Sequence, residues 1–176
     1  MKSKLEQLQN IFGDTKRILG SKKSIHDVAP IIPKILGTIL ECEWGTFWLV
    51  NTKSQKLCPI GTWHAPTVSA LALEQDTLGR ELTLSEGNAG HVWSGRQPIW
   101  TINLIQDMCL PRSLDANDAG FQGGIWFAIK TDEIVYGVIE LLSRKLPTPT
   151  EQLLQEIERL GNRLGHLIDD RELRRL

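Results

Sequence analysis

Residues Trp44 to Val50 read Trp-Gly-Thr-Phe-Trp-Leu-Val, with apolar side chains at both odd and even positions. In an extended chain successive side chains point to opposite faces, so Trp44, Thr46, Trp48 and Val50 share one face and Gly45, Phe47 and Leu49 the other. A strand that is apolar on both faces belongs at the centre of a sheet covered on both sides. The remaining chain must therefore supply further strands and two covering layers.

The polar segment Asn51 to Gln55 leads into a second extended run, Leu57 to His64, and the pair reads as a hairpin. Glu81 to Leu84 predicts a short strand. Gly123 to Lys130 and Glu133 to Ser143 predict two longer ones joined at Thr131-Asp132. Covering helices are expected over Lys4 to Leu19, from about Pro33 to Leu40, over Val68 to Glu74, Ala89 to Ser94 and Arg112 to Ala119, and from Thr148 onward. Ser24-x-x-Asp27 has capping-box spacing, and Thr148-Pro149-Thr150-Glu151 places a Thr cap, a first-turn Pro and a Glu at the third position. The expected fold is α+β: a five- to six-stranded antiparallel sheet with helices on both faces and long helices at the N and C termini. Its segments are an N-terminal helix over 1–20, a core over 24–146 and a C-terminal helix over 148–176.

The two terminal helices carry apolar stripes. Leu5, Leu8 and Phe12 lie along the first, and Leu153, Ile157, Leu160, Leu164 and Leu167 follow at steps of four, three, four and three along the last. Such a heptad seam fits a four-helix bundle made by two chains, a homodimer, and it equally fits the two stripes meeting inside one monomer.

With 20 basic and 21 acidic residues the charge is balanced, which gives no electrostatic reason to expect nucleic acid or an anionic membrane as partner. Cys42, Cys58 and Cys109 are too few and scattered for a disulfide framework, and neither they nor the four histidines have metal-ligand spacing. The first residues lack the apolar core of a signal peptide, and no run approaches the roughly 20 apolar residues that span a bilayer. A cytoplasmic protein is expected. No nucleophile elbow or phosphate loop is present, so no catalytic residue is predicted.

The stretch Glu86 to Trp100, Glu-Gly-Asn-Ala-Gly-His-Val-Trp-Ser-Gly-Arg-Gln-Pro-Ile-Trp, reads as a turn, a short helix ended by Gly95, and an extended exit after Pro98. It resembles the central segment of GAF domains of the type found in bacterial sensor histidine kinases. The resemblance is carried by Gly87, Gly90, Val92, Trp93, Pro98, Trp100, Asp107 and Arg112, with Leu110 in a slot where that family has Phe. It continues through Phe127-Ala128-Ile129 and Gly137-Val138-Ile139-Glu140, and spans about Ser24 to Arg171.

That resemblance implies a regulatory module that senses a small molecule and acts on an output domain, C-terminal in a longer protein, through its terminal helices. The implied pocket residues are Trp63, His91, Trp93, Trp100, Cys109 and Trp126; the tryptophans fit an aromatic-lined cavity or a filled core equally. Cys109 looks like part of the Asp-x-Cys-Phe element of cyanobacteriochromes, but the helix Arg112 to Ala119 supplies no anchoring cysteine for a bilin. The enzymatic GAF branch, free methionine sulfoxide reductase, needs two cysteines in mutual reach, and Cys42 and Cys58 fall toward opposite ends of a hairpin and its preceding helix. The expectation is thus a sensor and not an enzyme, with a bilin- or haem-binding photoreceptor or redox domain, or a ligand-free dimerisation spacer, as alternatives. No cofactor or ligand follows from the residues.

Overall fold

A computed structural model of the protein describes residues 2–20, 24–107 and 111–173. In chain order the elements are α1 (Lys4–Gly20), α2 (Ile25–Val28), α3 (Ile31–Leu40), β1 (Trp44–Asn51), β2 (Lys56–His64), α4 (Leu71–Leu78), α5 (Gly87–Gly95), β3 (Ile99–Thr101), α6 (Leu104–Asp107), α7 (Ser113–Asp118), β4 (Gly123–Lys130), β5 (Val135–Ser143) and α8 (Glu151–Leu173). The strands form one antiparallel sheet in the order β2-β1-β5-β4-β3. β1 is interior, as its two apolar faces require.

Two neighbouring rows of side chains across the sheet show how the layers are assigned. Phe47, Ile139 and Phe127 lie side by side in the registers of β1, β5 and β4, and all three pack into the core beneath α1, α3 and α8. One residue along, Thr46, Glu140 and Trp126 form the next row. They face the opposite layer, built from α4 to α7 with Leu73, Val92, Leu104, Ala116 and Phe121. Alternation along each strand therefore separates a helix-supporting face from a face carrying polar chemistry.

Several boundaries differ from the sequence expectation for local reasons. Glu81 to Leu84 contributes only a single bridge, Leu57 to Leu82, leaving five strands. α8 begins at Glu151, two residues later than a Thr148 cap would dictate, because the Thr150 hydroxyl accepts from the Leu153 amide at 3.2 Å. α5 runs through Gly95 and ends at Arg96, which adopts a left-handed conformation at φ 60°. β5 starts at Val135, after a turn closed by Thr131 N–H to the Ile134 carbonyl at 2.8 Å. α4 is displaced to Leu71–Leu78, while Val68 is buried ahead of it. The Ser24 capping box does form, with the Asp27 carboxylate accepting from the Ser24 amide at 2.8 Å. Pro33 sits in the first turn of α3, where its missing N–H has no intrahelical acceptor to lose.

The seam of α8 is consumed inside the chain. Ile157, Leu160 and Leu164 are each 1 % exposed or less, Leu8 of α1 is fully buried beside them, and Leu153, Leu167 and Leu5 are half-buried. The Phe12 side chain lies outside the described set. α8 lies so close to β4 that a methyl at Gly161 or Gly165 would overlap the Ala128 or Lys130 carbonyl oxygen. The two stripes thus meet each other and the sheet within one molecule, and their burial requires no second chain. Of the two arrangements that the stripes allow, packing inside one molecule accounts for the burial of Ile157, Leu160, Leu164 and Leu8.

The consequence is measurable. Leu→Ala at such sites costs about 2–5 kcal/mol each and a buried charge costs more, against a total stability of about 5–15 kcal/mol. The double substitution Leu160→Glu with Leu164→Glu is therefore expected to abolish the cooperative thermal transition seen by circular dichroism. A variant that stays folded and changes only its state of assembly would place the seam between chains.

Candidate functional site

Glu140 is the second of the residues Ile139-Glu140-Leu141, and both its neighbours are fully buried on the other face. Strand alternation turns its carboxylate into the layer of α4 to α7, where it is itself fully buried. An isolated carboxylate there would be untenable, so it must be matched by donors. Arg112, two per cent exposed at the start of α7, places Nη2 at 2.8 and 2.7 Å from the two carboxylate oxygens. Trp126 donates its indole N–H to Oε2 at 2.9 Å. On the other oxygen, Trp44 Nε1 and the Thr46 hydroxyl lie at 3.4 Å, and Trp44 Nε1 also donates to Thr46 at 3.0 Å.

Arg112 is held on its other sides as well. Its Nη1 donates to the Thr77 hydroxyl, which in turn donates to the Leu73 carbonyl at 2.6 Å in the preceding turn of α4. Its guanidinium carbon lies 5.2 Å from the centre of the Trp48 ring, a cation–π placement in a dry layer. Trp44 stacks on His64 at 6.5 Å with the rings 6° from parallel, which closes the cluster toward the end of β2. Two donors here, Arg112 Nε and Trp48 Nε1, are buried without a hydrogen-bond partner among the described residues. The cluster joins α4, α7, β1, β4 and β5 through one ion pair.

The six residues expected to line a pocket are divided by the fold. Trp126 stands at the centre of the cluster, and Trp93 packs half-buried against the same layer. Trp63 packs over Gly37 of α3, on the terminal-helix face. Trp100 packs against that same core and donates to the Pro147 carbonyl at 2.9 Å. His91 is exposed on α5 with Nδ1 2.7 Å from the Gly87 carbonyl oxygen. Cys109 lies outside the described residues. Beside α6 and α7 a groove of about 280 Å³ is lined by Ile102, Asn103, Ile105, Asn117 and Gln122.

In the sequence Arg112 and Glu140 stand only as motif positions, with no role attached. Their signal was present: a lone carboxylate in a strand apolar on both faces has to be buried and has to find a cation. Nothing in the sequence said which arginine would supply it, since the partners are 28 residues apart.

Of the cysteines described, Cys58 pairs opposite Leu49 of β1, and Cys42 precedes β1 by two residues. Seven residues of strand separate those levels, roughly 23 Å at 3.3 Å per residue, so these two thiols are out of mutual reach. Burial first, then the Glu43 charge, pushes the Cys42 thiol from its ordinary value near 9.0 up to about 12. The Cys58 thiol is also raised, by burial and then by Glu81. At the exposed end of the same hairpin, Lys56 sits 2.7 Å from Glu81, and this bond holds the Glu81 carboxyl below its usual range. Among the described residues no group of three or more His, Cys, Asp or Glu could hold a metal ion, and no helix is long and apolar enough to cross a membrane.

The sequence matches no protein-family profile. It also matches no curated protein sequence. Solved structures are similar over nearly the whole chain. The GAF domain of a phosphoenolpyruvate-protein phosphotransferase (ptsP) from Coxiella burnetii superposes with a TM-score of 0.75 at 11% identity, covering 97% of each chain. The nlh2 GAF domain of A. aeolicus in an inactive state gives 0.70 at 19% identity over 95% of this chain and 99% of that one. The free methionine-R-sulfoxide reductase of Neisseria meningitidis in complex with its substrate gives 0.74 at 13% identity over 98% and 95%. The protein has the GAF-domain fold.

The reductase likeness overturns one expectation. The residues alone lead to the expectation that this chain is not an enzyme, yet an enzyme shares its fold over nearly the whole chain. The fold gives no support to excluding catalysis.

Two measurements check this description. Glu140→Gln leaves a buried guanidinium without its counter-charge and is expected to lower unfolding free energy by about 3–5 kcal/mol in urea titration; a loss below about 1 kcal/mol would mean that the pair is open to water. For Cys42, folded and unfolded thiols differ in affinity for protons between pH 9.0 and about 12. The unfolded chain ionises first, so the contribution of Cys42 to stability is complete below pH 9 and declines as pH rises through that window. At pH 8, alkylation of Cys42 by iodoacetamide, located by peptide mass spectrometry, should proceed only through unfolding.

Proposed function

We propose that the chain is a regulatory GAF module in which a small molecule, engaging the layer around Arg112 and Glu140, alters how the sheet supports α1 and α8. The terminal helices then carry the change to an output domain, such as a kinase. The observation that carries this reading is the pair of buried donors without partners among the described residues, Arg112 Nε and Trp48 Nε1, beside an ion pair. Unmet donors in a dry layer cost about 1–3 kcal/mol each, and a ligand oxygen that accepted from them would recover that energy on binding. Because Arg112 and Glu140 already neutralise each other, a neutral ligand with carbonyl-type acceptors suits the layer better than a second anion.

Transmission is supported by strand alternation. Glu140 and Trp126 face the proposed site, while Ile139, Leu141 and Phe127, their neighbours along β5 and β4, face the terminal helices. A shift of either strand is felt on both faces. A signal also requires that the ligand bind two arrangements with different affinity. A second copy of the chain would meet the outward sides of α1 and α8, since their inward sides are occupied.

A ligand-free spacer is the second reading, favoured by one observation: Trp44, Trp48, Trp126 and Arg112 fill the layer with fully buried side chains. Thermal-shift screening of the wild-type chain against a library of neutral cyclic amides and nucleobases separates the two. The sensing reading expects at least one compound to raise Tm by several degrees, with the shift lost in Arg112→Met. Flat responses across the library, with Tm unchanged by every compound, would favour the spacer.

A further inference from the structure

At the end of β4, elements from both sides of the sheet meet on one side chain. Lys130 is the last residue of the strand and is 8 % exposed. Its ammonium donates to the main-chain oxygen of Arg96 at 2.6 Å and to the Glu158 carboxylate of α8 at 3.1 Å. Arg96 is the left-handed residue that ends α5, on the site face. Its guanidinium donates to the carbonyls of Thr131 and Glu133 (3.3 Å for the latter), fastening α5 to the β4–β5 turn. On the far strand of that hairpin the Tyr136 hydroxyl donates to Asp169, again on α8. α8 has little freedom to slide over this edge, because Gly161 and Gly165 bring its backbone directly onto the Ala128 and Lys130 carbonyls.

We propose that Lys130 is a positioning residue that couples the C-terminal end of α5 to α8, so that displacement of either helix is passed to the other across the sheet edge. The physical ground is the ammonium itself. It is nearly buried, and its partners on the two helices are a carbonyl and a carboxylate with a fixed short reach to one atom. Withdrawing either partner leaves the nearly buried ammonium short of a bond, so the ammonium follows the partner that moves, and the opposite partner with it. The Arg96 bonds to the turn make the β4–β5 hairpin move as part of the same unit. This inference rests on the reading of α8 as the output helix, but it concerns the coupling and needs no ligand.

A simple staple would stabilise the edge without linking the two helices, and hydrogen exchange followed by mass spectrometry on the full chain tells the two apart. Glu158→Gln, on α8, is expected to speed exchange of the α5 amides from Val92 to Arg96 at least threefold. Arg96→Gly keeps the left-handed backbone and the main-chain oxygen that Lys130 bonds, but frees the end of α5 from the β4–β5 turn so that this oxygen is no longer held in place, and is expected to speed exchange around Glu158 to a similar degree. In a Lys130→Gln background neither substitution should have any further effect across the sheet, and Lys130→Arg should restore both effects. Changes confined to the element that carries the substitution, or a uniform rise over the whole chain, would overturn the coupling, as would cross-sheet effects that persist with Lys130→Gln. If Lys130→Gln does not fold, the Glu158→Gln and Arg96→Gly arms decide alone in the natural background. Because no ligand is added, failure here leaves the sensing reading standing, and a failed ligand screen leaves this coupling standing.

Discussion

A carboxylate in the middle of a sheet has to be answered, and the organisation of one whole layer of this protein follows from how Glu140 is answered. Arg112 reaches it from the start of α7, Trp126 and Trp44 from β4 and β1, and Thr46 from the same row. The guanidinium then recruits Thr77 of α4 and the face of Trp48. Short helices such as α6 and α7, of four and six residues, have almost no stability of their own. They are held because Arg112, Ala116, Leu104 and Phe121 are anchored in the layer beneath them. A buried pair of this kind adds little net stability compared with a well-packed apolar substitute, but separating its partners is expensive. It specifies which arrangement of the layer is allowed.

The opposite layer obeys a different rule. There the sheet presents mostly apolar side chains, which the long helices α1 and α8 satisfy by area and close approach, with polar bonds to α8 from Tyr136 and Lys130 near one end. The same two strands therefore serve two environments, one directional and polar, the other apolar and non-directional. Residues adjacent in sequence, Ile139 and Glu140, belong to different layers. This adjacency is the physical basis of the proposed coupling, since any change at the polar layer is one residue away from the helix-bearing core.

Much of the architecture was legible because it rests on periodicity. Trp44 to Val50 announced a central strand, and the seam from Leu153 to Leu167 announced a long amphipathic helix. What covers that seam was not legible, since a heptad stripe says that a partner exists and not whether the partner is a sheet, a helix or another chain. The site was less visible. Its residues come from five elements and meet only through tertiary packing, whereas the tryptophans singled out by composition were split between the two faces by strand parity. Trp63 and Trp100 went to the helix side and Trp126 to the polar side. The reach of fold into function is limited as well, because the GAF domain of a phosphoenolpyruvate-protein phosphotransferase and a methionine-R-sulfoxide reductase share this architecture.

The central claim is that Arg112 and Glu140 act as one unit that organises the polar layer. A double-mutant cycle with Arg112→Met and Glu140→Leu, read by urea unfolding, tests it most directly. Each single substitution leaves a buried charge unmatched, whereas the double substitution removes both charges and puts apolar side chains in their place. The account predicts a coupling energy of about 2 kcal/mol or more, with the double variant more stable than either single variant. Additivity within about 0.5 kcal/mol would contradict it, showing that the two side chains contribute independently and that the layer is organised by something else.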